Sequence, residues 1–160
     1  MGLLLFSTKR QLEAESYFQL ALTIAKNELP AEHPEVATCL NNVAMVLQYI
    51  GKLDEAEPLY REALRIKEAV LGPKNPEVAF CLNNLSVLLQ AAKRFEEAEP
   101  YMRRHVEILL HFTHETGQMH PHLGQAFGNY ANLLEQSGYS PQQANEQLNA
   151  LGRRFGIQLA

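Results

Sequence analysis

An all-α protein built from repeated pairs of antiparallel helices is what this chain of 160 residues predicts, and three observations carry that reading. The segment Cys39-Leu-Asn-Asn-Val-Ala-Met-Val-Leu-Gln48 returns as Cys81-Leu-Asn-Asn-Leu-Ser-Val-Leu-Leu-Gln90, 42 residues further on. Self-similarity at a fixed period of this size marks an array of supersecondary units that bury their apolar faces on one another. Within each unit the apolar residues recur at three- and four-residue steps, the helical spacing. Glycine and proline fall between the periodic stretches, where helices must stop and restart.

The elements follow in order. In residues 1–30, Lys9-Arg-Gln-Leu-Glu-Ala-Glu15 falls in register with Gly51 to Glu57, and Tyr17, Ala21 and Ile24 follow. This predicts a partial unit, the end of a first helix and a complete second one. In residues 31–72, Pro34 suits the first helical position and Glu35 the positive helix end, while Val36, Leu40, Val43, Ala44 and Leu47 form one face until Gly51. The second helix has Asp54 and Glu57 at capping-box spacing and Ala56, Leu59, Tyr60, Ala63, Leu64 and Ile66 on its apolar face, before Leu71-Gly72-Pro73 ends it. Residues 73–118 repeat this: Asn75-Pro-Glu-Val-Ala79 matches His33-Pro-Glu-Val-Ala37, and Lys93-Arg-Phe-Glu-Glu-Ala-Glu-Pro100 matches Gly51-Lys-Leu-Asp-Glu-Ala-Glu-Pro58. Residues 119–160 form an atypical last unit, with His120-Pro121, Asn129, Ala131, Leu134, Gly138 and Ala144 in register after short insertions. Leu148, Leu151, Phe155 and Ile157 are expected to close that end or to pack on a partner.

Composition excludes several classes. A net charge of −4, with no basic block, leaves no electrostatic footprint for nucleic acid or an anionic membrane. The opening Met1-Gly-Leu-Leu-Leu-Phe-Ser7 is too short for a signal peptide or a membrane span, and Phe6 stands where N-myristoylation at Gly2 needs Ser or Thr. Cys39 and Cys81 hold equivalent positions, and such residues on neighbouring packed helices sit roughly 8–10 Å apart, beyond disulfide reach. Both read as buried thiols of a reducing, cytoplasmic setting. No phosphate loop, nucleophile elbow or paired-carboxylate pattern is visible, so neither catalysis nor a cofactor is expected.

The alternation of small Ala44, Ala56 and Ala63 with large Leu40, Leu47, Leu53 and Tyr60 resembles the tetratricopeptide repeat. The 42-residue period, the His/Asn-Pro start, the internal Leu-Asn-Asn and the closing Leu-Gly resemble more narrowly the long repeats of kinesin light chains and nephrocystin-3. The resemblance implies an α-solenoid, a right-handed superhelix whose first helices line a concave groove for a partner protein or peptide. On that reading the groove stripe is Thr38, Asn41, Asn42, Met45, Gln48 and Tyr49 in one unit. Phe80, Asn83, Asn84, Val87 and Gln90 follow in the next, and Gln125, Asn129 and Asn132 in the last. A carboxamide both donates and accepts, so Asn42, Asn84 and Asn129 would form a ladder along a peptide backbone without reading its side chains. The resemblance also supplies a contrast: the carboxylate-clamp lysine position holds Thr38, Phe80 and Gln125 here, so a neutral peptide is expected. Asn41 and Asn83, about 100° round the helix from their neighbours, suit an inter-helix structural role.

Two alternatives complete the reading. The apolar ends, Leu3, Leu4, Leu5 and Phe6 at one and Phe155 and Ile157 at the other, would drive homo-oligomerisation or continue a longer array. A metal site can be drawn from His111, His114, His120 and His122, but no Cys or carboxylate cluster completes a ligand set.

Overall fold

The computed structural model describes residues 2–157, with side chains from Ser16 onward and that of Glu13. Seven helices follow in order: α1 (Gly2–Glu28), α2 (Pro34–Tyr49), α3 (Leu53–Leu71), α4 (Pro76–Ala91), α5 (Phe95–Thr116), α6 (Leu123–Gln136) and α7 (Pro141–Arg154). Among the described residues there is no strand. In place of the end of one helix and a second, residues 2–28 form one unbroken helix. The sequence explains this, since no proline lies in that stretch and its only glycine is Gly2, at the helix start. The side chains of Leu3, Leu4, Leu5 and Phe6, which end-to-end association would use, lie outside the described residues.

The chain divides into two compact units after Pro73. In the first, α2 packs against both α1 and α3. Its start is fixed by His33, whose Nδ1 accepts the Glu35 backbone N–H at 3.2 Å, with Pro34 next and the Glu35 charge in the first turn. The helix ends on Gly51, where φ is 84°, and the Lys52 N–H reaches back to the Leu47 carbonyl at 2.8 Å. Helix α3 opens at Leu53 with Lys52 as an N-cap whose side chain makes no capping hydrogen bond. Asp54 therefore lies inside the first turn and contributes charge there rather than the expected capping box. The core is Leu22 and Ala25 of α1, Val36, Leu40, Val43 and Ala44 of α2, and Ala56, Tyr60, Ala63 and Ile66 of α3. The buried Tyr60 hydroxyl donates to Gln48 Oε1 at 3.0 Å.

The second unit begins with the same pair, α4 on α5, and adds α6 and α7, each against its predecessor. Asn75 does for α4 what His33 does for α2, its Oδ1 accepting the Glu77 N–H at 2.8 Å. The two residue types alternate at this position because each offers one acceptor at the same reach. The inter-helix bonds differ, however. Met102 replaces Tyr60 in register and has no hydroxyl for Gln90, whose Nε2 turns to Ser86 Oγ at 3.4 Å. Ser86, in the place of Ala44, donates to the Ala98 carbonyl at 3.1 Å, and His105, in the place of Ala63, bonds the Ala79 carbonyl through Nδ1 at 2.8 Å. Helix α7 starts with a full capping box between Ser140 and Gln143, and buries Ala144, Leu148 and Leu151. Phe155 and Ile157 remain partly exposed beyond it.

A candidate peptide-binding cleft

In the second unit, α4, α5, the loop before α6, and α6 itself enclose a cleft of about 260 Å³. Helix α4 contributes Phe80 and Asn83, and α6 contributes Gln125 and Asn129, all four from the predicted stripe. His105 of α5 and His120 and His122 of the loop complete the polar lining. No lysine, arginine or carboxylate lines the cleft among the described residues.

The hydrogen bonds define what the imidazoles offer. A carbonyl only accepts, so His105 must carry its proton on Nδ1 to bond Ala79, which leaves Nε2 as an acceptor. His120 Nδ1 accepts the His122 backbone N–H at 3.2 Å, which places its proton on Nε2 as a donor. Burial pushes the His105 pKa down; the Ala79 bond opposes this, and His120 and His122 push it further down. His120 is lowered by burial and by His122. Burial thus favours the neutral form of both rings. Phe112 packs edge-on to His120 with centroids 5.0 Å apart, which holds that ring in place. Asn83 donates to Asn84 Oδ1 at 3.5 Å, while its own Oδ1 is buried and has no hydrogen-bond partner. An unpaired buried acceptor of this kind costs about 1–3 kcal/mol.

The rest of the stripe is distributed differently. Val87 is exposed on α4 beyond the cleft, Gln90 is engaged with Ser86, and Asn132 accepts from Gln136 at 2.8 Å. The amide of α4 that lines the cleft is Asn83, and Asn84 stands outside the lining. In the first unit, Thr38 is exposed and donates to the Pro34 carbonyl, Met45 and Tyr49 are exposed, Asn42 and Gln48 are half-buried, and Asn41 is buried with the core. His105 was not among the expected groove residues. Its signal was its register, because it replaces a small alanine on the face that meets the first helix.

The four histidines of the metal alternative separate. His111 Nε2 lies 3.2 Å from Glu115 and its ring leans on Phe155, while His114 is exposed. His120 and His122 belong to the cleft, with ring centroids 5.6 Å apart. Among the described residues, no group of three or more His, Cys, Asp or Glu is arranged to hold a metal ion.

A larger cavity, of about 550 Å³, lies among α5, α6 and α7. Three of its groups satisfy one another: Glu99 accepts from Arg103 at 2.7 Å and from the Tyr130 hydroxyl at 2.6 Å. Burial raises the Glu99 pKa, but these two hydrogen bonds outweigh it and leave the carboxyl below its ordinary value.

The tetratricopeptide repeat family model matches residues 1–69 and again 40–111. The chain belongs to the tetratricopeptide repeat family. Among solved structures, this tetratricopeptide protein is similar to BtubC (BKLC) from P. vanneervenii, with 30% identity, a TM-score of 0.77 and 95% of its own length covered. It spans 61% of the length of that chain. A Podosopora anserina kinesin light chain candidate with nearly identical TPR-like repeats superposes at a TM-score of 0.76 and 20% identity, over 92% of this chain and 70% of the other. A second crystal structure of that Podosopora anserina protein, carrying a point substitution, gives 0.62 and 18%, over 92% and 89% of the two chains. These likenesses establish the all-α repeat fold. No curated protein sequence matches the chain. Tetratricopeptide repeats generally mediate protein–protein interaction and are typically not catalytic. No described helix is long and apolar enough to cross a membrane.

Proposed function

We propose that the protein is a non-catalytic interaction module of the cytoplasm that holds a neutral peptide segment of a partner on its first-helix faces, with the α4–α5–α6 cleft as the principal contact. One observation carries this reading: the predicted Phe80, Asn83, Gln125 and Asn129 converge on a single cleft whose lining has no permanently charged side chain. An aromatic wall beside amides and the His105 and His120 imidazoles suits a backbone with small or apolar side chains better than an acidic or basic motif. On α2 the cleft's Phe80 and Asn83 correspond to the exposed Thr38 and the buried Asn41, so the first unit adds to the contact only through its exposed or half-buried Asn42, Met45 and Tyr49. Two cysteines outside any disulfide, Cys81 buried as expected and Cys39 only half-buried, support the reducing compartment.

Selection from a phage-displayed peptide library against the full chain tests the proposal. Selected peptides are expected to be poor in charge, and Phe80→Ala is expected to cost about 2 kcal/mol, roughly thirtyfold in Kd, as for an aromatic anchor. Asn129→Ala removes one hydrogen bond and is expected to cost about 1 kcal/mol. Binders that keep full affinity for both variants, with helix content unchanged by circular dichroism, would remove the cleft from the reading.

A further inference from the structure

We infer that the α4–α5–α6 cleft reads a carboxamide, the side chain of a glutamine or asparagine in the partner peptide, with His105 Nε2 accepting from its NH2 group and His120 Nε2 donating to its oxygen. The inference deepens the peptide reading of the cleft and rests on it. Two ring orientations, each fixed by a bond within the chain, carry it. His105 gives its Nδ1 proton to the Ala79 carbonyl at 2.8 Å, so the neutral ring keeps Nε2 as an acceptor. His120 takes the His122 backbone N–H on Nδ1 at 3.2 Å, so its Nε2 is a donor. Both rings line the one cleft, and burial, with the nearby His120 and His122, disfavours a charge on His105.

One acceptor and one donor held in a single cleft select a ligand by what it leaves unpaired. His105 is only 7% exposed, and Phe112 packs edge-on against His120, so neither ring is free to turn to suit another group. A methionine side chain of similar length satisfies neither ring. A glutamate brings no donor for His105, and it loses its hydration where no lysine or arginine lines the cleft among the described residues. A single trans peptide unit points its N–H and C=O in opposite directions. A primary amide presents both at one end, which is what two rings in one cleft require.

The test uses fluorescein-labelled peptide pools, randomised among alanine, valine, leucine, serine and phenylalanine except at one position held as glutamine, glutamate or methionine. An N-methylamide C-terminus excludes any other primary amide. Titrated with the full chain at about pH 7.5 and read by anisotropy, the glutamine pool is expected to bind at least about tenfold more tightly than either other pool. His120→Asn separates recognition from folding: Asn75, at the same register position, accepts the Glu77 N–H, so asparagine keeps the turn and withdraws the Nε2 donor. It is expected to reduce the preference for glutamine over methionine about tenfold, with helix content unchanged by circular dichroism. The titratable groups lining the cleft among the described residues are His105 of α5 and His120 and His122 of the loop, α4 and α6 contributing none. Lowering the pH to about 5 turns His105 Nε2 into a donor and is expected to narrow the gap between the glutamine and glutamate pools. Pools that Phe80→Ala weakens but that show no glutamine preference, or a preference unmoved by His120→Asn, overturn this inference and leave the peptide cleft standing. Pools that do not bind, or bind regardless of Phe80→Ala, overturn both.

Discussion

Lys93→Gly is expected to stabilise the protein, the opposite of what glycine usually does to a chain. Positions 51, 93 and 138 end the first helices of the three repeats, and all have left-handed backbone, with φ of 84° at Gly51, 59° at Lys93 and 95° at Gly138. In each, the next amide returns to a helix carbonyl: Lys52 to Leu47 at 2.8 Å, Arg94 to Leu89 at 2.9 Å, and Tyr139 to Leu134 at 3.1 Å. A side chain in this conformation costs about 1–2 kcal/mol, because Cβ crowds the following carbonyl. Glycine removes that cost but gives the unfolded chain extra freedom worth about 0.4–1 kcal/mol. The Lys93 side chain is exposed, so little packing is lost and a net gain of about 0.5–1 kcal/mol remains. Gly51→Lys is the reciprocal experiment. A Cβ there meets nothing within 4 Å, so the backbone alone sets its cost, of the same size and opposite sign. Urea denaturation followed at 222 nm measures both. With a slope of about 2 kcal/mol per molar, the midpoints should move about 0.3–0.5 M in opposite directions. Midpoints that move the same way, or a lower midpoint for Lys93→Gly at unchanged slope, would refute the reasoning.

Two further outcomes follow from local chemistry. His105 has its pKa depressed in the fold, chiefly by burial, so the unfolded chain takes up the proton first as pH falls. Stability present above about pH 6.5 is then lost as pH drops through the folded pKa; urea midpoints between pH 7 and 5.5 should show this decline, and His105→Gln should flatten it. Asn75→Ala removes the side-chain acceptor at the start of α4 and is expected to cost about 1 kcal/mol in the same denaturation assay.

The repeat made much of this architecture legible. Because His33 and Asn75, Gly51 and Lys93, or Ala63 and His105 share register positions, one unit explains the other wherever backbone geometry or a single acceptor is what the position requires. Legibility failed where a side chain's choice depends on what stands opposite. Asn83 and Asn84 are neighbours in sequence, yet a rotation of about 100° sends only the first to the cleft. The cleft uses the first turns of α4 and stops before Val87 and Gln90, and no periodicity reports where the loop carrying His120 and His122 will fold over that helix. The α1 helix ran on because the register supplied a repeat boundary where the local sequence held no residue able to break a helix.

The polar contacts inside the two full pairs bear on how such a chain can be rebuilt. Tyr60 with Gln48 joins α3 to α2, whereas Ser86 with Ala98 and His105 with Ala79 join α5 to α4. The matching positions have exchanged their chemistry together, Tyr for Met at one and Ala for Ser at another. A chimera that set α5 against α2 would press the His105 imidazole onto a surface shaped for Ala63, and would leave Gln48 facing Met102. Recombination therefore has its joints between pairs and not within them: the heritable module is the two-helix hairpin, and a designer extending or shortening the array should cut only there.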